Sequence, residues 1–226
     1  MVPPLAVDVD GTLTRPDGSL DPRSFDALRE WPAPVVVATG KAFPFPVALC
    51  EFAGIPVNVV AENGGVVHVR AAGEVAFNGD PEAARAVAEA YREAGHDLGW
   101  GSVDTVNRWR ETELAVARDR PLAPLERVAA DHGMQVVDTG YAYHVTATDV
   151  DKASGLRSAA RLLDRSPGAF VAVGDSENDV PAFGAVERAY AVANADDAAT
   201  AAADIVTEEA FADGFLEALE QVRADA

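Results

Sequence analysis

A doubly wound α/β core around a parallel sheet, interrupted by an inserted α+β segment, is the fold class this sequence predicts, on three observations. Short apolar runs alternate with amphipathic stretches along most of the 226 residues. Several runs are apolar without a break, as strands covered by helices on both faces must be. Three of them end in clusters rich in Asp, Thr and Gly, the place where open α/β sheets bind ligands.

The runs Leu5–Val9, Val35–Ala38, Val57–Val60, Ala169–Val173, Tyr190–Val192 and Ile205–Val206 are the expected strands. The expected helices between and after them are Arg23–Trp31, Phe45–Phe52, Lys152–Leu163 and Ala210–Val222. The alternation breaks after the turn signal Glu62-Asn63-Gly64-Gly65, where "VVHVR" and "EVAF" predict a hairpin around Ala71-Ala72-Gly73. A helix follows from Pro81 to about Ala94, with Asp80 as its N-cap and proline at its first position. Then come "TELAVAR", a short helix near Leu122–His132, and the antiparallel candidates "MQVVDT" and "YAYHVTAT". A βαββαββ-like insert is expected, which divides the chain into a core of residues 1–78 and 150–226 and an α+β unit of residues 79–149.

Composition limits the function classes. With 37 acidic and 18 basic residues the formal charge is −19, which repels nucleic acid and anionic lipid. Only Lys41 and Lys152 are lysine; every other basic residue is arginine. An acidic surface of this kind suits concentrated salt, where the Debye length falls to ~3 Å at 1 M and self-repulsion is screened, so adaptation to salt is expected. No stretch approaches the ~18 apolar residues of a membrane span, and the first residues carry no basic or long apolar leader, so a cytoplasmic protein is expected. The single cysteine, Cys50, lies between Leu49 and Phe52 in an apolar run and reads as core.

The strand ends carry the chemistry. Asp8-Val9-Asp10-Gly11-Thr12 follows the first strand, Thr39-Gly40-Lys41 the second, and Gly174-Asp175-Ser176-Glu177-Asn178-Asp179 the strand near Val173, while Lys152 opens the helix before that strand. In a parallel sheet these groups converge on one crevice. Four carboxylates, those of Asp8, Asp10, Asp175 and Asp179, cannot all stay ionised there without cations. A hard divalent ion with oxygen ligands, Mg²⁺ above all, supplies the charge together with lysine, and it commonly binds a substrate phosphate. Gly11 permits close backbone approach, and Thr12, Thr39 and the turn N–H groups are donors suited to phosphate oxygens.

"DVDGTLT", "ATGK", the lone Lys152 and "GDSENDV", in that order, resemble the four motifs of the haloacid dehalogenase superfamily of phosphatases over about two thirds of the chain. Placement of the insert resembles the Cof-type branch with a large α+β cap on a Rossmann-like core. The compact length and small cap resemble the archaeal phosphoglycolate phosphatases within that branch. The resemblance implies Asp8 as nucleophile and Asp10 as general acid and base. It implies Mg²⁺ held by Asp8, the Asp10 carbonyl, Asp175 and Asp179, with Thr39, Gly40 and Lys152 on the phosphoryl oxygens. Asn178 is expected to orient its loop or touch Lys152. For Lys41 a phosphate-site role and a plain surface role stay equally open, and Ser176 and Glu177 read as loop residues.

The implied partner is a small phosphorylated metabolite, with 2-phosphoglycolate favoured and the chain a monomer or homodimer. Sugar phosphates, including sucrose phosphate and mannosyl phosphoglycerate, are the nearest alternatives. A phosphomutase is a further reading; a non-enzymatic phospho-receiver is disfavoured, since such domains are usually about half this length and lack an inserted cap. A substrate carboxylate would need a cationic or amide partner, for which Arg108, Arg110 and His144 are candidates. Glu62 and Asn63 are expected either to border the pocket or to form the hinge of the insert.

Overall fold

The computed structural model describes residues 1–226. The first half of the main unit contains β1 (Leu5–Val7), α1 (Pro22–Arg29), β2 (Val35–Ala38), α2 (Pro44–Ala53), β3 (Asn58–Ala61), β4 (Val66–Val69) and β5 (Val75–Phe77). A middle segment follows with α3 (Pro81–Glu93), β6 (Leu114–Ala117), α4 (Leu122–Asp131), β7 (Met134–Asp138) and β8 (Ala142–Ala147). The chain then returns through α5 (Lys152–Leu162), β9 (Val171–Gly174), α6 (Val180–Phe183), β10 (Arg188–Ala191), α7 (Asp197–Ala202), β11 (Ile205–Val206) and α8 (Phe211–Ala224). No helix is long and apolar enough to cross a membrane.

The main sheet has the order β11-β10-β9-β1-β2-β3-β4-β5. From β11 to β3 the pairing is parallel, and β4 and β5 add antiparallel at one edge. The six strands expected to pair parallel do so, and the hairpin makes the sheet mixed at its edge. The predicted hairpin exists, and it extends this sheet at its β3 edge. The middle segment consequently runs αβαββ, with two fewer strands than the βαββαββ pattern expected, and forms a separate sheet of order β6-β8-β7.

Alternation along the strands builds two apolar layers. Leu5, Val7, Val35, Val37, Val59, Val171 and Val173 face Leu28, Leu49, Phe215 and Leu219 of α1, α2 and α8. On the opposite face Ala6, Val36, Ala38, Val60, Ala172 and Ala191 meet Leu156, Ala159 and Ala160 of α5. The smaller side chains on that face let α5 approach closely. A Cβ on Gly155 would stand 2.4 Å from Val60 Cγ1 and 2.7 Å from Gly64 Cα, so only glycine fits at this contact. The second sheet has its own core, in which Val87 and Tyr91 of α3 and Leu125 of α4 pack against Leu114, Val116 and Val145.

Between β9 and β1 the strand order changes direction: the chain winds outward through β2 and β3 on one side and through β10 and β11 on the other. A crevice opens at such a switch point beyond the carboxyl ends of the strands. Asp8 and Asp175 leave the sheet there side by side, directly after β1 and β9.

Candidate active site

Asp8 is held at the end of β1 by its N–H, which donates to Val173 O at 3.0 Å. Its carboxylate is buried and accepts a hydrogen bond from Lys152 Nζ at 2.7 Å. The same ammonium donates to Asp179 Oδ1, also at 2.7 Å. Lys152 is fully buried in the first turn of α5, whose N-terminus disfavours a cation, and the two carboxylates offset that cost. Asp151 caps α5 by accepting from Ser154 N at 2.7 Å, which fixes where the lysine emerges. The second Asp179 oxygen accepts from the N–H groups of Asp175 and Ser176 at 3.1 and 3.2 Å.

Ligand oxygens of Asp8, Asp175 and Asp179 lie within 4.8 Å of one another. Asp175 Oδ1 is buried and has no hydrogen-bond partner, an orphaned acceptor that a cation would satisfy. The donors are all carboxylate oxygens, the chemistry of hard ions such as Mg²⁺, so the residues fit a metal ion. Gly11, at φ 80°, allows the cluster to form: a Cβ there would lie 2.0 Å from Asp175 Oδ2. Gly11→Ala is expected to displace Asp175 and to cut phosphate release on the order of 100-fold, since misplacement by about 1 Å has that effect. Steady-state kinetics beside a thermal melt check it.

Burial, opposed by Lys152, pushes the Asp8 carboxyl up to about 7, with Asp179 adding to the rise. Burial and then Asp8 push Asp175 up to about 8. Burial pulls the Lys152 ammonium down, but Asp179 and Asp8 together outweigh it and hold its pKa above the ordinary lysine value. The two raised carboxyls bind protons more tightly in the folded chain than in the unfolded one, where 3.8 is ordinary. Their contribution to stability is thus present below about pH 4 and lost as pH rises through about 7 to 8. In EDTA the melting temperature is expected to fall between about pH 5.5 and pH 8.5, and added Mg²⁺ to restore it at the higher value. A flat or rising profile in EDTA would contradict the burial of these groups.

The remaining expected residues divide. Thr39 is buried one step beyond β2, and its hydroxyl accepts from Lys41 N at 3.2 Å, leaving its own proton free to donate. Thr12 Oγ1 is buried without a partner. The Asp10 carboxylate stands outside the triad, is more than half exposed, and pairs with Lys41 Nζ at 3.1 Å. Lys41 therefore belongs to the crevice rim. Asn178 does not reach Lys152: it accepts from Ser176 Oγ at 2.9 Å and donates to Asn63 Oδ1 at 3.1 Å. Arg108 is exposed and makes no hydrogen bond or ion pair, whereas the Arg110 side chain is only 7% exposed.

A polar network joins the two sheets. Glu62 and Asn63, both at φ 52°, turn the chain at the end of β3, a left-handed conformation that costs energy for residues with side chains. The buried Glu62 carboxylate accepts from Glu111 N, Thr112 N and Thr112 Oγ1 at 2.8 to 3.1 Å. Burial raises its pKa, and those donors oppose the rise. Asn63 Nδ2 donates to Glu113 Oε2 at 3.0 Å. Glu113 also meets His144 Nδ1 at 3.3 Å and pairs with Arg110. Burial, reinforced by the positive Arg110, pushes His144 down to about 3, so its ring is neutral near pH 7. Glu113 was not among the candidates read from sequence. Its one signal is an acidic residue at the head of an apolar strand.

The family model described as haloacid dehalogenase-like hydrolase matches residues 5–107 and 126–219. The chain belongs to the haloacid dehalogenase-like hydrolases. One relative among them, a phosphoglycolate phosphatase of Natronomonas pharaonis, is 65% identical over 223 residues and 99% of each chain. A phosphoglycolate phosphatase of Archaeoglobus fulgidus is 34% identical over 220 residues, covering 96% of this chain and 95% of that one. Among solved structures, a protein of Thermoplasma acidophilum superposes with a TM-score of 0.83 at 26% identity over 99% of both chains. A haloacid dehalogenase-like hydrolase of Bacteroides thetaiotaomicron gives 0.78 at 20% identity, over 98% of this chain and all of that one, and shares the fold. The expected salt adaptation fits relatives from Natronomonas, Haloarcula and Halobacterium.

Proposed function

We propose that the chain is a Mg²⁺-dependent phosphomonoesterase that hydrolyses 2-phosphoglycolate to glycolate and phosphate. The observation that carries the chemistry is the buried Asp8–Lys152–Asp179 bridge with the unpartnered Asp175 oxygen beside it. Support for the substrate comes from relatives named phosphoglycolate phosphatase at 65, 58 and 56% identity over nearly the whole chain.

Asp8 attacks phosphorus, the ester P–O bond breaks, and an aspartyl phosphate forms. Asp10 protonates the departing alkoxide to give glycolate, then takes a proton from water as that water attacks the aspartyl phosphate, releasing phosphate and restoring Asp8. The more exposed position of the Asp10 carboxylate, beside Lys41, suits a group that exchanges protons with leaving group and water. Lys152 and Thr39 hold phosphoryl oxygens, and Lys152 offsets charge in the transition state. Asp8, Asp175, Asp179 and the Asp10 carbonyl hold Mg²⁺, which offsets carboxylate charge and polarises a phosphoryl oxygen when bound. The unit built on the second sheet, residues 79–149, covers the crevice and selects the leaving group.

Phosphate release from 2-phosphoglycolate, measured at high KCl beside a panel of sugar phosphates, tests this reading. EDTA is expected to abolish release and excess Mg²⁺ to restore it. Turnover that persists in EDTA would remove the metal from the scheme, and faster release from a sugar phosphate would change the substrate.

A further inference from the structure

In a crevice this acidic, the cations are already claimed. Lys152 answers Asp8 and Asp179, and Lys41 answers Asp10. Arg110 differs, because a guanidinium carries five N–H donors in a fixed fork. Its Nε donates to Val106 O at 3.1 Å and its Nη1 to Gly40 O at 3.0 Å, while Glu113 pairs with it through the same Nη1. The second terminal nitrogen, Nη2, donates no hydrogen bond, which leaves its two N–H groups for an incoming acceptor.

Place and rigidity favour this residue. Gly40 directly follows Thr39 at the end of β2, and the Val7–Val37 register sets that end beside the end of β1, where Asp8 begins the crevice. Glu113 is held in turn by Asn63 and His144, and Asn63 by Asn178 of the Asp175–Asp179 loop. The guanidinium of a residue in the middle segment is therefore fixed to the loops after β2, β3 and β9 together. One methylene separates the phosphoryl ester oxygen from the carboxylate in a 2-phosphoglycolate molecule, so the group that reads the carboxylate must stand near the strand ends.

Building on the phosphatase reading above, we propose that Arg110 binds the carboxylate of the leaving group and sets the enzyme's preference for it, with Glu113 as the positioning residue that aims the guanidinium. The resident Glu113 neutralises Arg110 while the site is empty, so no unpaired cation is buried. The substrate carboxylate takes the Nη2 face, which the protein leaves unclaimed. Arg108 points to solvent and takes no part.

The test compares 2-phosphoglycolate with ethyl phosphate, which has the same two-carbon leaving group without the carboxylate, on wild type and on Arg110→Gln, Arg110→Lys and Arg108→Gln. For Arg110→Gln, kcat/KM on 2-phosphoglycolate is expected to fall about 100-fold, mainly through KM, and on ethyl phosphate less than about threefold. Arg110→Lys keeps the charge and loses the fork, and a selective loss of about tenfold is expected. Arg108→Gln is expected to stay within about twofold on both substrates. Equal losses on the two substrates, no loss, or the selective loss appearing in Arg108→Gln would overturn the inference. If Arg110→Gln fails to fold, Arg110→Lys decides by the same comparison. Wild type that hydrolyses neither ester would instead defeat the phosphatase reading, and wild type that hydrolyses both equally would defeat the carboxylate preference alone.

Discussion

Asp8→Asn is expected to lower phosphate release from 2-phosphoglycolate by about 10⁴-fold or more, because no other carboxylate stands where it can attack phosphorus in its place. Asp179 is tied to Lys152 and to two backbone N–H groups, and Asp10 lies out at the rim with Lys41. The fold is expected to survive. Asparagine keeps an oxygen that accepts from Lys152, and the change removes one charge from a cluster of three carboxylates that share a single ammonium, bound to two of them. Near pH 8 the variant should therefore melt at or above the wild-type temperature. A phosphate-release assay and a thermal melt on the same preparation separate lost chemistry from lost structure. Robust turnover by purified Asp8→Asn would refute the assignment of the nucleophile.

Lys152→Ala is expected to damage both. It leaves Asp8 and Asp179 buried without their shared cation, and removing one partner of a buried pair costs about 3–5 kcal/mol. Loss of a phosphoryl-oxygen donor should reduce kcat by about 10³-fold besides. The destabilisation is expected to shrink near pH 6, where the raised Asp8 and Asp175 carboxyls take up protons and no longer need the ammonium. Urea unfolding at the two pH values measures it. Equal destabilisation at both would mean that lost packing by the buried lysine stem, and not charge, sets the effect.

That Asp8, Asp175, Asp179 and Lys152 meet at the strand ends was legible in the sequence, because acidic residues at the end of an apolar strand need a nearby group to offset their charge. Much of the network at Glu113 was not legible. Its bond to Asn63 spans 50 residues and the Asn63–Asn178 bond spans 115, distances over which a local pattern carries no information. Arg108 and Arg110 look alike in a loop without periodicity, and only the fold shows that the second tucks its side chain away while the first is exposed. The β4–β5 hairpin was readable as a hairpin, but an edge ribbon of the main sheet and one belonging to the middle segment have the same local signature. His144 stood out as polar in an apolar strand, while its acidic partner lay one residue before another strand.

Gly155 sits where α5 rests on β3 and on Gly64, with no room for a single added carbon. A collection of inactivating substitutions gathered blindly from this gene would accordingly include Gly155 beside the charged residues, although it handles neither proton nor ligand. Read without coordinates, such a mutant would be mistaken for a binding defect, since pushing the helix outward carries the Lys152 ammonium away with it.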